Sequence, residues 1–341
     1  MMAEMGHEQV VFCSDPQSDY RAIIVIHNTA LGPAVGGTRF WSYAGEEEAV
    51  IDALRLARGM TYKNAVAGLP FGGGKSVIIG DNKRPDREKI FRAHGRFIES
   101  LGGRYIAGED VGTSTTDIGY ARMETSYVGG LEGKSGDPSI MTAHGVYRAM
   151  QASAKHRWGS DELSGRRVAL QGCGHVGYNL ARELHEAGAK LIAGDIDAES
   201  VNRVVSEFGA EAVEPEVIYD VEADIYAPCA LGGIINDETI LRLKVEIVAG
   251  AANNQLLEAR HGAMLEERGI LYAPDYVANA GGVINGVCIE LLGWDHSRTR
   301  DKVREIYGAM LEVFELAREQ GIPASEAADR LAEQRLKTGL D

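Results

Sequence analysis

Two lysines, Lys63 and Lys75, flank a run of three glycines, Gly72 to Gly74, within the stretch MTYKNAVAGLPFGGGKS at residues 60–76. An ammonium on a flexible stem binds anions, and its pKa falls readily when it is buried or crowded by another cation. Glycines beside a lysine let the backbone approach a ligand closely. Two cations around a glycine turn therefore suit a small anion and an amine that transfers protons. The plainer alternative is a pair of surface lysines beside a tight turn, since lysine is usually exposed. The apolar neighbours Ala65, Val66, Leu69, Phe71 and Val77 to Ile79 instead predict a segment running inward. A triphosphate-binding loop is a third reading, because Gly74-Lys75-Ser76 spells GKS. That loop needs a glycine at position 69, where Leu69 stands, and a helix after the lysine, where the strand-like Val77-Ile78-Ile79 follows.

A carboxylate comes next, at Asp110 in Gly-Glu-Asp-Val-Gly-Thr (residues 108–113). At a strand end among glycines it is either a turn former or an acid/base, and the residues alone favour the turn former. A second constellation is Gly172-Cys173-Gly174-His175-Val176-Gly177, placed after a strand at 167–171 and before a helix with Val176, Leu180 and Leu184 in register. The next strand, 190–194, ends at Asp195, with Asp197 beyond it. In that context the glycines permit a tight turn and a close approach to pyrophosphate. The helix N-terminus meets the phosphates and the acid meets ribose hydroxyls. An acid at 195 repels a 2′-phosphate, so NAD is expected over NADP. Later strands end at Ala227-Pro228-Cys229-Ala230, Ala249 to Asn254 and Tyr272 to Asp275, where small residues and amides line such a crevice.

The rest of the chain must position these groups. Its 341 residues suit two domains, and 45% hydrophobic and 25% charged residues suit a soluble globular protein. A net charge of −15 argues against nucleic-acid or anionic-membrane surfaces. Four scattered cysteines read as free thiols without metal-ligand spacing, and no metal is expected. With no spanning segment and no signal pattern, the expected location is the cytoplasm. Strands are predicted at 9–15, 21–28, 75–79 and 104–107, a turn at Gly36 to Arg39, and helices at 46–60 and from Pro85 to Leu101. His94 on the second helix reads as a core histidine. A glycine-rich linker near 135 separates a second half of alternating strands and helices, which implies a parallel sheet. One long helix is expected at 298–318, and a last one at 325–336.

With these elements in place, the chain resembles the glutamate/leucine/phenylalanine/valine dehydrogenases, and within them the leucine type, from about residue 8 to 336. The resemblance is carried by DYRAIIVIHNTALGPAVGGTRFW, ALRLARGMTYKNAVAGLPFGGGK, GEDVGT, IYAPCALGG, AGAANNQL and YAPDYVANAGGVIN. It implies two α/β domains separated by a cleft. A substrate and oligomerisation domain covers 1–134, with a C-terminal helix at about 322–341 packed back on it, and a Rossmann NAD domain covers 135–321. It also implies roles. Lys63 would bind the substrate carboxylate with backbone at Gly36-Gly37 and the Asn254 amide. Lys75 would be the catalytic lysine, its pKa lowered by nearby Lys63 and by closure, and Asp110 would shuttle protons on the substrate nitrogen. Thr142 would sit near the nicotinamide. Gly172, Gly174, His175, Val176, Gly177, Asp195, Ala230 and Asn253 complete the expected cofactor set.

The implied reaction is NAD-dependent oxidative deamination of a hydrophobic L-amino acid to its 2-oxo acid and ammonia, and the reverse. Relatives acting on glutamate place a lysine where Val35 stands, and a valine cannot satisfy a buried charge. The resemblance puts Val35, Gly108, Val283 and Gly286 in the side-chain pocket, where two glycines leave extra volume. A leucine-type enzyme with an enlarged pocket is therefore expected, with a phenylalanine or other aromatic amino-acid dehydrogenase as the alternative. A non-catalytic NAD-binding regulator is a remoter one. Pro70-Phe71 and Ile140-Met141 depart from the commoner leucine-type residues. The chain also stops soon after Leu336, short of a basic assembly tail, so a homodimer is expected over an octamer.

Overall fold

The computed structural model describes residues 2, 5–130, 133 and 135–340, so the expected boundary at residue 134 falls outside the described residues. The chain divides into two compact units. One comprises Met1–Gly136, Gly286–Asp295 and Ala332–Asp341, and the other Asp137–Asn285 and His296–Leu331.

The first unit is built on a five-stranded mixed sheet in the order β1-β2-β4-β3-β5, formed by β1 (Gln9–Asp15), β2 (Tyr20–Asn28), β3 (Ala34–Trp41), β4 (Gly72–Ile79) and β5 (Tyr105–Glu109). β4 runs antiparallel to β2 and parallel to β3, and β3 runs parallel to β5. The Ile-rich β2 is buried on both faces. Gly36 to Arg39 lie inside β3 and not in a turn. The glycine is needed for another reason: a Cβ on Gly36 would stand 1.8 Å from the Gly74 carbonyl oxygen.

Three helices cover this sheet: α1 (Glu46–Val66), α2 (Arg87–Glu99) and α3 (Thr115–Arg122). α1 passes the expected stop at Met60 and carries Lys63 with it, because no helix breaker intervenes before Gly68, whose φ is +63°. Its buried stripe is Ala49, Ala53, Ala57 and Thr61, which sets the small residues against β4. A Cβ on Gly73 would stand 2.0 Å from the Thr61 amide nitrogen. The glycine run thus serves close packing of helix on strand. α3 begins with a capping box, in which the Ser114 side chain accepts from Asp117 N–H while Asp117 accepts from Ser114 N–H. On the other face His94 is fully buried and meets the Tyr20 hydroxyl at 2.7 Å and the Thr38 and Ser76 hydroxyls at 3.2 Å each. Burial pushes its pKa down to about 3, so it sits in the core as a neutral hydrogen-bonding residue.

The second unit is a six-stranded parallel sheet flanked by helices. Along the chain come α4 (Pro138–Trp158), β6 (Arg167–Gln171), α5 (His175–Glu186), β7 (Lys190–Gly194), α6 (Ala198–Phe208), β8 (Glu211–Ala212) and β9 (Ile225–Pro228). Then follow α7 (Thr239–Arg242), β10 (Ile247–Val248), α8 (Arg260–Glu267), β11 (Leu271–Tyr272), α9 (Asp275–Ala278) and α10 (Gly281–Gly286). The strand order is β11-β10-β9-β6-β7-β8, which reverses direction of build at β6 and β9. α4 is a 21-residue helix signalled by Asp137 as N-cap, Pro138 in the first turn and Gly159 at its left-handed C-cap. A π-helical turn follows at Val287–Leu291. The single helix expected at 298–318 is two helices, α11 (His296–Arg304) and α12 (Ile306–Gln320), which meet at Glu305. The last helix, α13 (Ala324–Thr338), carries Arg335, which donates to the Ala65 carbonyl and, at 2.6 Å, to that of Val66. No helix among the described residues is long and apolar enough to cross a membrane.

Candidate active site

In the first unit, Lys75 projects from β4 on the face turned to α1, with its side chain only 6% exposed. Its Nζ lies 2.8 Å from Asp110 Oδ2. Asp110 follows directly on β5, and its loop is held from two sides. The Thr113 hydroxyl accepts from the Asp110 amide at 2.9 Å and reaches the Thr38 carbonyl at 3.0 Å. Arg87 grips both carboxylate oxygens of Asp117, at 2.7 and 2.6 Å, and donates to the Gly112 carbonyl at 2.8 Å. Gly112, with φ of +79°, permits the turn between these anchors.

A second cation reaches the same oxygen of Asp110. Arg39 Nε, from β3, lies 3.1 Å from Oδ2. Burial alone would raise the Asp110 carboxyl, but the Lys75 ammonium and the Arg39 guanidinium outweigh it and hold it below the usual carboxylate range. Lys75 moves down from the ordinary lysine value because burial penalises its charge. Arg39 adds to that lowering while Asp110 opposes it. Arg39 is thus one cation that crowds Lys75, and the sequence reading does not name it beside Lys63. Lys63 itself is half-buried in the last turn of α1. Its neighbours Thr61 and Asn64 contact Gly73 and Gly72, and Asn64 Nδ2 donates to the Gly72 carbonyl at 2.6 Å.

The β3–β4–β5 register assembles the other first-unit residues. Val35 pairs with Gly73 and Ile106, Gly36 with Ala107, and Gly37 with Gly108. The Tyr105 hydroxyl donates to the Gly36 carbonyl at 2.8 Å and so fixes that peptide. Among the described residues, a Cβ on Gly108 would meet only the Gly129 carbonyl oxygen, at 3.7 Å, and a Cβ on Gly286 would meet nothing within 4 Å. Val283 and Gly286 lie three residues apart on α10, one turn along the same helix face.

In the second unit, the turn between β6 and α5 has the shape a dinucleotide requires. Gly172 has φ of +95°, and a Cβ there would stand 2.8 Å from the Ala230 amide nitrogen. A Cβ on Gly177 would stand 1.9 Å from the Gly172 carbonyl oxygen, so α5 could not close on the turn with any other residue. Among the described residues, none stands within 4 Å of a Cβ on Gly174 and no side chain caps the first amides of α5, where His175 is exposed and Val176 half-buried. Those amides suit a phosphate. Asp195, after β7, takes the Cys173 N–H on Oδ2 at 2.6 Å and the Asp197 N–H on Oδ1 at 3.0 Å, which fixes the carboxylate at the strand end. Asp197 itself caps α6.

Thr142 lies in the second turn of α4, and its hydroxyl donates to the Pro138 carbonyl at 2.9 Å. Asn253 and Asn254 are exposed beyond β10, and Asn254 holds a left-handed φ of +51°. Asn279 steers Asn253, donating to its Oδ1 at 2.7 Å and to the Ala251 carbonyl at 3.0 Å. The buried Oδ1 of Asn279 has no protein partner among the described residues. Burial pushes the Cys173 and Cys229 thiols up to about 12, the state of packing residues. Arg39, with Asp52 Oδ2 2.9 Å from its Nη1 and the Tyr43 hydroxyl donating to that same oxygen at 2.6 Å, and also Arg87 and Asn279, are members of these sets that the sequence reading misses. Arg39 stands in the Gly-Gly-Thr-Arg stretch, but Asp52 reads as one more acid on an exposed helix face.

Residues 7–127 match the Glu/Leu/Phe/Val dehydrogenase dimerisation domain, and residues 129–196 and 195–338 match the Glutamate/Leucine/Phenylalanine/Valine dehydrogenase domain. The chain belongs to the glutamate/leucine/phenylalanine/valine dehydrogenase family. It is thus an oxidoreductase acting on amino acids with a nicotinamide cofactor. It is 60% identical over 339 residues to a leucine dehydrogenase of Thermoactinomyces intermedius, covering 98% of this chain and 92% of that one. It is 47% identical to a phenylalanine dehydrogenase of Caldalkalibacillus thermarum, covering 97% and 91%. The crystal structure of L-tryptophan dehydrogenase from Nostoc punctiforme superposes with a TM-score of 0.90 at 48% identity, over 98% of this chain and 97% of that one.

Proposed function

We propose that the protein carries out NAD-dependent oxidative deamination of hydrophobic L-amino acids, leucine and its branched relatives foremost, and the reverse reductive amination. The observation that carries the chemistry is the 2.8 Å contact between Lys75 and Asp110 in a site where lysine is lowered and the carboxylate is ionised. The first unit takes the amino acid and the second the dinucleotide. Lys63 holds the substrate carboxylate, aided by the peptides of Gly36 and Gly37. Asp110 accepts a proton from the substrate ammonium, which frees the nitrogen lone pair to expel hydride from Cα. The nicotinamide, when bound, supplies the hydride acceptor. Lys75, as the neutral amine, takes a proton from the water that attacks the resulting imine carbon. Asp110 returns its proton to the carbinolamine nitrogen and, as ammonia leaves and the carbonyl forms, takes up the hydroxyl proton; the Lys75–Asp110 contact gives the two groups a direct proton path.

The cofactor reading rests on the Gly172–Gly177 turn and on Asp195 fixed at the end of β7, where it can accept from ribose hydroxyls and repels a 2′-phosphate. The substrate reading rests on the half-buried Val35, which offers no charge to an acidic side chain, and on the space at Gly108 and Gly286. Each methyl-sized gap is worth on the order of 0.8 kcal/mol to a ligand group that fills it. That favours several-fold tolerance of larger or aromatic side chains rather than strict selectivity. The match to a dimerisation domain supports a homo-oligomer, read as a homodimer, and the cytoplasm suits such an enzyme.

Lys75→Ala and Asp110→Asn are each expected to lower kcat by at least about a thousandfold while NADH still binds by fluorescence titration. Near-normal turnover in either sinks the assignment. Asp195→Ala should weaken NAD and narrow the preference over NADP, compared by kcat/KM with each; a wild type that prefers NADP overturns this role for Asp195. Gly286→Val should raise the ratio of leucine to phenylalanine turnover by several-fold in an amino-acid panel, and an unchanged ratio removes position 286 from the pocket. Light scattering should return twice the chain mass of 36.8 kDa, and an octamer mass would refute the dimer.

A further inference from the structure

The Lys75–Asp110 pair poses a problem of charge. A carboxylate 2.8 Å from a buried amine stabilises the ammonium, which works against Lys75 as a base. The structure places a third party on that contact. Arg39 donates to the same Oδ2 of Asp110 at 3.1 Å, so one oxygen is shared between two cations. Arg39 is itself held from behind: its Nη1 lies 2.9 Å from Asp52 Oδ2 on α1, and the Tyr43 hydroxyl donates to that same oxygen at 2.6 Å. The guanidinium is always charged and its fork serves both acids at once. The groups acting on the pair include Arg39 from β3, Asp52 from α1, the Tyr105 phenol from β5 and the amide of Val111, while Tyr43, from the loop after β3, acts on Arg39 and Asp52.

We propose that Arg39, braced by Asp52 and Tyr43, is a positioning residue that holds the Asp110 carboxylate in place and loosens its hold on the Lys75 proton. The inference rests on the reading of Lys75 and Asp110 as the proton-transferring pair. Its logic gives two substitutions opposite signs. Removing Arg39 takes away a cation that repels the Lys75 proton and competes for Asp110, so Lys75 should keep its proton to higher pH. Removing the charge of Asp52 takes away an anion that favours the Lys75 ammonium and releases Arg39 onto Asp110, so Lys75 should lose its proton at lower pH.

The test is the pH dependence of Lys75 labelling by a small acylating reagent, followed by peptide mass spectrometry on the full-length protein, beside pH profiles of kcat/KM. In Arg39→Gln the labelling midpoint and the rising limb of kcat/KM should move up by about one pH unit, with about tenfold less kcat/KM on that limb. In Asp52→Asn both should move down. Arg39→Lys, which keeps the charge but loses the fork, should fall between wild type and Arg39→Gln. Midpoints that do not move, or that move in the same direction in Arg39→Gln and Asp52→Asn, overturn the proposal and leave Arg39 a packing residue. Should Arg39→Gln not fold, the downward shift in Asp52→Asn decides alone. Labelling reads Lys75 without turnover. Loss of the catalytic reading, seen as active Lys75→Ala, is thus separate from loss of the Arg39 role, seen as unmoved labelling midpoints.

Discussion

A lysine ammonium 6% exposed inside a sheet demands a partner, and the first unit is arranged around meeting that demand. Stranding such a charge by removing its partner costs about 3–5 kcal/mol. Asp110 supplies the partner, but a carboxylate at the end of a strand is useful only if it stays put. The Thr113 hydroxyl, the Arg87–Asp117 pair and the left-handed Gly112 fix the loop from which it projects. Arg39 then shares the carboxylate with Lys75, so the site contains two cations on one anion, with Asp52 balancing the second cation at its far end.

The backbone makes this crowding possible. Lys75 reaches Asp110 because β3, β4 and β5 run parallel in register, and because α1 lies close on β4 at Gly73. Any side chain at Gly36 or Gly73 would wedge strand from strand or helix from strand. On the opposite face the buried His94 cluster ties Tyr20, Thr38 and Ser76 together, and Tyr105 joins Ser76 to the Gly36 carbonyl. Ser76 is the chain neighbour of Lys75 and Thr38 of Arg39. A hydrogen-bonded polar network beneath the sheet therefore holds the backbone from which Lys75 and Arg39 project.

The second unit solves a more general problem with local means. The turn after β6 combines three things within a short segment: a left-handed residue, room before the helix, and contact between helix and turn. Gly172, Gly174 and Gly177 supply them in that order. Two elements reach it from further along the chain: Asp195, drawn to the turn by the Cys173 amide, and Ala230, packed against Gly172. The family assignment and the parallel sheet agree with this reading, and neither depends on the details of the first unit.

Segments governed by local rules are legible in the residues themselves. The turn after β6, the acid after β7, the alternation that makes a parallel sheet and the histidine on the buried face of α2 all follow from periodicity and glycine spacing, since each depends on neighbours within about 25 residues in sequence. The Gly-Gly-Gly-Lys run is legible as important, but its packing role is not. Glycine spacing cannot distinguish close approach to a ligand from close approach to Thr61 and Tyr105, and only the packed structure shows the latter. The break at Glu305 is hidden because the apolar stripe through Val303, Ile306 and Met310 continues across it in helical register. A cation that crowds Lys75 is hidden for a stronger reason. Arg39 meets Asp110 across 71 residues of sequence, and whether it points at that carboxylate depends on strand order and register, which no local pattern encodes. Residue types nominate Lys75 and Asp110, but the tertiary fold decides which charges surround them, because electrostatic effects at about 3 Å depend on where side chains meet in space.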